Sequence, residues 1–366
     1  MIRCLNCFNV YDDYLGLCPY CGAYGVTGRE PIDLAPGTTL SNGRYVIGLS
    51  VNAGGFGIVY KAWDIKLNIV IAIKEFYPSQ IVTRAAGTKE LIVIGKSREE
   101  FEYRKKRFLA EARNMAKFSS HNNIPNVFEY FEENNSAYIV MEFLEGNSLS
   151  EYMEKNRPDL DLALYITNEI GNALIALHKE GIIHRDVAPD NIFICSNKDL
   201  RIKLLDFGAA RLTDGDDDVR DIILKPGYAP TEQYDQDEIR TLDERSDIYA
   251  LGATLYYMLT GVKPDESTNR KEQDDLVEPN LINPDIPENI NNAVMKAMAI
   301  QRHLRFNSVD EFLKAVGGAK KVIPLRLEKR RRKIKQQVSV AVHWQLKQLE
   351  RLRYTSTMIP RDWKKD

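Results

Sequence analysis

No run in this sequence approaches the roughly 20 apolar residues that a membrane-spanning helix needs. The longest, Ile248–Leu259, is about twelve residues and reads as a buried core helix. Cysteine is scarce: five in 366 residues, four of them within the first 21. That crowding excludes a disulfide framework spread along the chain. Neither sign of charge dominates, with 50 Lys and Arg against 52 Asp and Glu. A balance near zero excludes bulk attraction of the whole molecule to nucleic acid or an anionic membrane. No repeat or low-complexity tract is present, and residues 1–20 lack the basic start and apolar run of a secretory signal. The chain is expected to be soluble and cytoplasmic, without a transmembrane segment.

What is present divides along the chain. Turns and cysteines dominate residues 1–27, and a Pro/Gly-containing linker follows over 28–43. From Arg44 to about Ile94, short β-branched runs alternate with glycines, as antiparallel strands do. Phe101, Phe108, Ala112 and Met115 fall at helical spacing between Arg98 and Phe118. Strand-like runs return at Val127–Phe131 and Ala137–Phe143. Beyond Ser148 the period is mainly helical, interrupted by strand-like Ile192–Cys195, where Cys195 reads as a packed residue, and Ile202–Leu205. Strands first and helices later predict an α+β body of two lobes, 44–143 and 144–318.

The cysteines form two knuckles, Cys4-Leu-Asn-Cys7 and Cys18-Pro-Tyr-Cys21. Two residues between cysteines let both thiolates turn inward, and two such knuckles complete a tetrahedral S₄ site suited to Zn²⁺. A unit of 1–27 has almost no core, so metal must supply most of its folding energy. Redox chemistry would need one Cys-x-x-Cys beside a βαβ unit, not a matched pair. With four thiolates and no open position, the predicted zinc ribbon is structural.

Asn52-Ala53-Gly54-Gly55-Phe56-Gly57-Ile58-Val59 lies between two strand-like runs, and glycines let backbone amides approach phosphates. Downstream, Ile71-Ala72-Ile73-Lys74 matches the V-A-I-K type of strand, and Glu111 sits on the predicted helix. His184-Arg185-Asp186, with Asn191 beyond, and Asp206-Phe207-Gly208 follow in order. Together these residues resemble the protein-kinase family over about Arg44–Gly317. The segment Lys74-Glu75-Phe76-Tyr77-Pro78 resembles a bacterial Ser/Thr branch.

The resemblance implies ATP and Mg²⁺ as cofactors and a protein substrate. It assigns Gly54, Gly55, Gly57 and Val59 to the phosphate loop and Lys74, fixed by Glu111, to the phosphates. Ala72, with Met141 as gatekeeper and Glu142 to Leu144 as hinge, would receive adenine. Asp186 would take the substrate proton, and Asn191 and Asp206 would hold magnesium. Glu232 would pair with Arg305, and Asp247 would anchor the catalytic loop. Residues Gln80–Gly95, between Lys74 and Glu111, are expected to add a strand pair.

Three departures stand out. Asn52 replaces the usual first loop glycine. Ala188 occupies the position where most Ser/Thr kinases carry a lysine on the γ-phosphate, and Asp190 excludes the tyrosine-kinase pattern. Lys225, seven residues before Glu232, stands where a threonine is usual and is the candidate to restore the missing charge; a solvated lysine is the competing reading. A pseudokinase scaffold that binds nucleotide is the functional alternative, and a small-molecule kinase ranks below it. Between Asp206 and Glu232 only Thr213 and Thr231 carry Ser/Thr hydroxyls. Asp216, Asp217, Asp218 and Asp221 supply fixed charge there, one of them to pair with Arg185. The tail, 319–366, carries seven Lys or Arg over residues 326–335 and then a helical apolar stripe. It fits a partner protein, an anionic surface or the kinase lobe, with nucleic acid last.

Overall fold

The computed structural model describes residues 1–12, 16–24, 32–54, 57–196, 200–207, 211–212, 224–235 and 237–317. The basic tail, Gly55, Phe56, Gly208, Thr213 and the aspartates at 216, 217, 218 and 221 lie outside them. At the N-terminus, β1 (Ile2–Arg3) and β2 (Val10–Tyr11) form an antiparallel pair that carries the first knuckle.

A six-stranded antiparallel sheet follows, built from β3 (Thr39–Leu40), β4 (Tyr45–Gly54), β5 (Gly57–Asp64) and β6 (Ile69–Phe76). The small pair β7 (Val82–Thr83) and β8 (Ile92–Val93) lies within the expected insertion. Helix α1 (Arg98–Ala116) then precedes the last two strands of the large sheet, β9 (Val127–Glu133) and β10 (Ser136–Glu142). Spatial order is β3-β4-β5-β6-β10-β9. Burial along β5 alternates residue by residue, the period-2 signature of a strand with one face covered. Phe76 packs against Phe101 and Phe108 of α1 with ring centroids 5.4 Å apart in each case. That contact holds the helix on the sheet.

Register sets which side chains share a face. Val59 lies opposite Lys74, and Ala72 opposite Met141. These four therefore project from the same face of the sheet, the one α1 covers. Glu75, one residue further along β6, points the other way and is fully buried beside Arg84, which comes from the insertion.

The second lobe is helical. It runs through β11 (Gly146–Ser148), α2 (Leu149–Lys155), α3 (Leu160–Lys179), β12 (Ile182–Ile183), β13 (Ile192–Cys195), β14 (Ile202–Leu204) and β15 (Arg211–Leu212). Helices α4 (Glu244–Thr260), α5 (Pro279–Ile282), α6 (Glu288–Ala297) and α7 (Val309–Ala315) complete it. Asp159 caps α3 by accepting from Leu162 N at 3.0 Å. Gly261, at φ 73°, ends α4 in the left-handed conformation that glycine adopts freely. Ile166, Ile170, Leu174, Ile248, Leu251 and Leu255 bury their side chains in this lobe's core. The twelve-residue apolar run lies inside α4, and among the described residues no helix is long and apolar enough to cross a membrane.

Candidate active site and metal centre

Lys74 projects from the middle of β6 toward α1. Its Nζ lies 2.8 Å from Glu111 Oε1 and 3.1 Å from Asp206 Oδ1. Burial works against its charge, but the carboxylates of Asp206 and Glu111 outweigh that and hold the ammonium above the ordinary lysine range. Three elements far apart in sequence thus meet at one cation. Asp206 takes φ 57°, a left-handed conformation uncommon outside glycine, which turns its carboxylate toward Lys74.

The loop after β12 is fixed from below. Asp247, fully buried on α4, accepts from the backbone N–H groups of His184 and Arg185, each at 2.8 Å. Arg185 has φ 67°, so these bonds offset a strained backbone. Gln233 adds a donor to Arg185 O at 2.9 Å. Asn191 Nδ2 donates to Asp186 O at 2.8 Å, which turns its side-chain oxygen, a hard donor of the kind that Mg²⁺ prefers, away from that bond. Burial pushes the Asp186 carboxyl up, while Lys225 and His184 pull it down.

Lys225 Nζ stands 3.4 Å from Asp186 Oδ1 and 3.7 Å from Asp190 Oδ2. Ala188 is fully buried in the core of the helical lobe. Two of the sequence departures thus lie close together: Ala188 is a core methyl, and Lys225, from a later segment, reaches Asp186, two residues before Ala188.

Downstream, Glu232 is clamped by Arg305, with Nη1 to Oε1 at 2.6 Å and Nη2 to Oε2 at 3.0 Å. Ser246 donates to the same carboxylate at 2.9 Å. Thr231 is half-buried at the start of this turn. The expected partner of Arg185 among the aspartates at 216–221 falls outside the described residues. In the glycine-rich stretch, pairing continues to Gly54 opposite Gly57; Asn52 pairs with Val59 after two register shifts, between Ile47 and Ser50 and between Ser50 and Asn52.

Two positioning residues escaped the sequence reading. His178 on α3 bonds Asp247 through Nε2 at 2.7 Å and lies 3.3 Å from Glu244 through Nδ1. Burial disfavours its charge, but the two carboxylates push its pKa up to about 9. Lys203, buried in β14, donates to Ile124 O at 2.8 Å and to the Glu142 carboxylate. Asn126 N also donates to Glu142, at 3.0 Å. A lysine inside the apolar run Ile202–Leu205 was the available signal.

The four N-terminal cysteines are free thiols whose sulfurs lie within 4.8 Å of one another. Cys4 to Cys21 and Cys7 to Cys18 are each 3.6 Å. Four thiolates at Zn–S of about 2.3 Å in a tetrahedron stand about 3.8 Å apart, so the donor set fits such an ion. Asn6 N and Asn9 Nδ2 donate to Cys4 and Cys7 sulfurs at 3.4 Å, the N–H support that thiolate ligands need.

Comparison with known proteins bears on the family and the fold. The protein kinase domain model matches residues 45–316. A probable serine/threonine-protein kinase of Clostridium acetobutylicum is 31% identical over 78% of this chain and 41% of its own length. The serine/threonine-protein kinase PrkC of Bacillus subtilis is 30% identical over 74% of this chain and 39% of its own. The matched stretch is thus under half the length of these relatives. Among solved structures, the apo form of PpkA-294 superimposes with a TM-score of 0.68 at 30% identity, covering 78% of this chain and 99% of that one. The Mycobacterium tuberculosis PknI kinase domain, at 23% identity and a TM-score of 0.57 over 78% of this chain and 98% of its own, shares the fold. On its match over residues 45–316, this chain belongs to the protein kinase domain family.

Proposed function

We propose that this protein is an active Ser/Thr kinase that moves the γ-phosphoryl group of ATP onto hydroxyls of protein substrates. The observation that carries the reading is Lys74 in contact with Glu111 and Asp206 at once. The contact sets a phosphate-holding cation beside a candidate magnesium ligand, and Asp186 adds the proton acceptor that a scaffold binding nucleotide has no need of. Val59, Ala72, Met141 and Leu144 offer adenine an apolar setting. Glu142, its carboxylate committed to Lys203 and its N–H to Asn126 O at 2.9 Å, would offer its main-chain carbonyl. Lys74 and the glycine-bearing strand tips at Gly54 and Gly57 would hold the phosphates.

Asn191 and Asp206 would hold Mg²⁺, which when bound neutralises phosphate charge. Asp186 accepts the proton of the attacking hydroxyl as the new O–P bond forms and the bond to the β-phosphate oxygen breaks. Lys225, beside Asp186 and Asp190, supplies the cation that Ala188 does not. The Glu232–Arg305 clamp supports a protein substrate over a small molecule, because it fixes the segment that the family uses for peptides.

We assign zinc to Cys4, Cys7, Cys18 and Cys21, within a ribbon at residues 1–27. Reduced cysteines and ATP dependence both suit the cytoplasm. Incubation with ATP, Mg²⁺ and a generic protein substrate, followed by mass spectrometry, tests the kinase reading. Phosphoserine or phosphothreonine should appear in the wild type and be lost in Asp206→Asn. Nucleotide binding without any phosphorylated product would return the pseudokinase reading.

A further inference from the structure

The four-cysteine unit is pressed against the lobe that closes over ATP. Phe8, between Cys7 and Asn9 in the first knuckle, is buried and stacks on Trp63 of β5 with ring centroids 5.9 Å apart and an interplanar angle of 27°. The Arg3 guanidinium lies 3.9 Å from the centroid of the same ring, and its Nη1 donates to Phe8 O at 2.7 Å. On β4, Gly48 is pressed so closely that an added Cβ would stand 2.5 Å from Leu5 O and 2.8 Å from Phe8 Cζ. Approach at that range requires glycine. The contact is a packed interface, since an aromatic pair with a stacked cation buries far more than a tethered bead would.

Its placement matters more than its existence. In β5, Val59, Lys61 and Trp63 alternate with buried Tyr60 and Ala62, so they share one face. Val59 is in register with Lys74, which makes this the face assigned above to nucleotide. Lys61, between them, places its ammonium 4.8 Å from the centroid of Phe143, in the hinge. The knuckle therefore braces β4 and β5 on their nucleotide-facing side. Gly48 is six residues from Gly54 and Trp63 six from Gly57, the two ends of the loop over the phosphates.

We propose that the metal-bound knuckle is a working part of the nucleotide site: through Phe8 and Arg3 on Trp63, it fixes the strand pair that carries Gly54 and Gly57. This rests on the kinase and zinc readings above. A metal that folds the knuckle also fixes Phe8, because that residue lies next to Cys7; loss of metal frees β4 and β5 and weakens the hold on ATP. The phosphoryl-transfer residues, carried by other elements, are left in place.

The test breaks the interface from each side in the full-length protein. Phe8→Ala acts from the knuckle and Trp63→Leu from the lobe, and neither touches a cysteine or a catalytic group. Three measurements are taken: zinc per chain by elemental analysis, hydrogen exchange over residues 45–64, and steady-state kinetics with ATP varied. Both variants should retain one zinc per chain, exchange faster in β4 and β5, and show KM for ATP raised about 5-fold or more with kcat within about 2-fold. Chelation of the wild type should produce the same exchange change. Variants that keep zinc with exchange and KM unchanged would overturn the proposal. Loss of zinc in Phe8→Ala alone leaves Trp63→Leu to decide. Wild type purified without metal would defeat the zinc reading separately, and absent phosphotransfer in every protein would defeat the kinase reading, with exchange still reporting the interface.

Discussion

Two lysines of the candidate site each meet a pair of carboxylates, and they are held very differently. Lys74 is rooted in the middle of a six-stranded sheet, with its side chain 16% exposed, and is gripped at 2.8 and 3.1 Å by carboxylates from two other elements. Lys225 comes from an extended loop segment, is 24% exposed, and stands at the longer distances of 3.4 and 3.7 Å. The first geometry suits a group that must be in place before substrate arrives. The second leaves an ammonium with room to shift onto charge as that charge develops. The contrast teaches that equal formal charge at one site can be held in two ways, one gripped where three elements meet and one with room to move.

The sharpest break of this comparison is Lys74→Met. It removes the cation from between Glu111 and Asp206, leaving the buried Glu111 unpaired and the phosphates unheld. Phosphotransfer should fall by at least about 10³, with ATP affinity falling too, as measured by kinetics and nucleotide titration. Retained ATP affinity would reverse the roles given to the two lysines.

Lys225→Met should separate them. A loss of about 10²–10³ in kcat with a far smaller change in ATP affinity is expected if this ammonium meets the transferring group. Near-normal kcat would mark it as a solvated loop lysine. The exchange Ala188→Lys with Lys225→Thr returns the usual family arrangement. It should recover only part of the rate, because position 188 is fully enclosed and the longer chain must thread out of the core.

The smallest effect concerns the support beneath the loop that carries Asp186. His178 is raised to about 9 by Asp247 and Glu244 against its burial. A raised pKa means that protonated His178 adds stability in full below its unfolded value of about 6.5, and that this is lost as pH climbs through about 9. The difference in Tm between wild type and His178→Gln should therefore shrink steadily over that window. A constant difference would show a purely steric contribution.

Phosphate and metal chemistry is what made most of the site legible in sequence. Lys74, Asp186, Asn191 and Asp206 are the residue types such chemistry would call for, in an order and spacing that single them out in the sequence, and the structure brings Lys74 and Asp206 into contact. The two-lobed order of strands and helices was legible for a similar reason: period-2 runs with glycines precede long 3.6-period runs. The extra strand pair within Gln80–Gly95 also appears, as β7 and β8. What stayed hidden were pairings of ordinary residues across long stretches of chain. His178 with Asp247, Lys203 with Glu142 and Phe8 with Trp63 are each unremarkable alone. Only the fold brings the members together, and burial gives each pairing its weight.

The pair Glu75 and Arg84 has a consequence for how this protein can change over generations. Glu75 is next to Lys74 on β6 but faces the opposite way, fully enclosed. Tyr138 donates to it at 2.8 Å and Tyr60 at 3.0 Å. Its countercharge, Arg84, arrives from the insertion and donates as well to Ile32 O at 2.7 Å in the segment before β3. An insertion that looks like ornament on the surface therefore neutralises a charge within the strand that carries Lys74. Deleting it would strand a buried carboxylate at a cost of about 3–5 kcal/mol. Substitutions at Glu75 and Arg84 are thus coupled: removing Arg84, or the insertion that carries it, is expected to be better tolerated once the glutamate has been replaced.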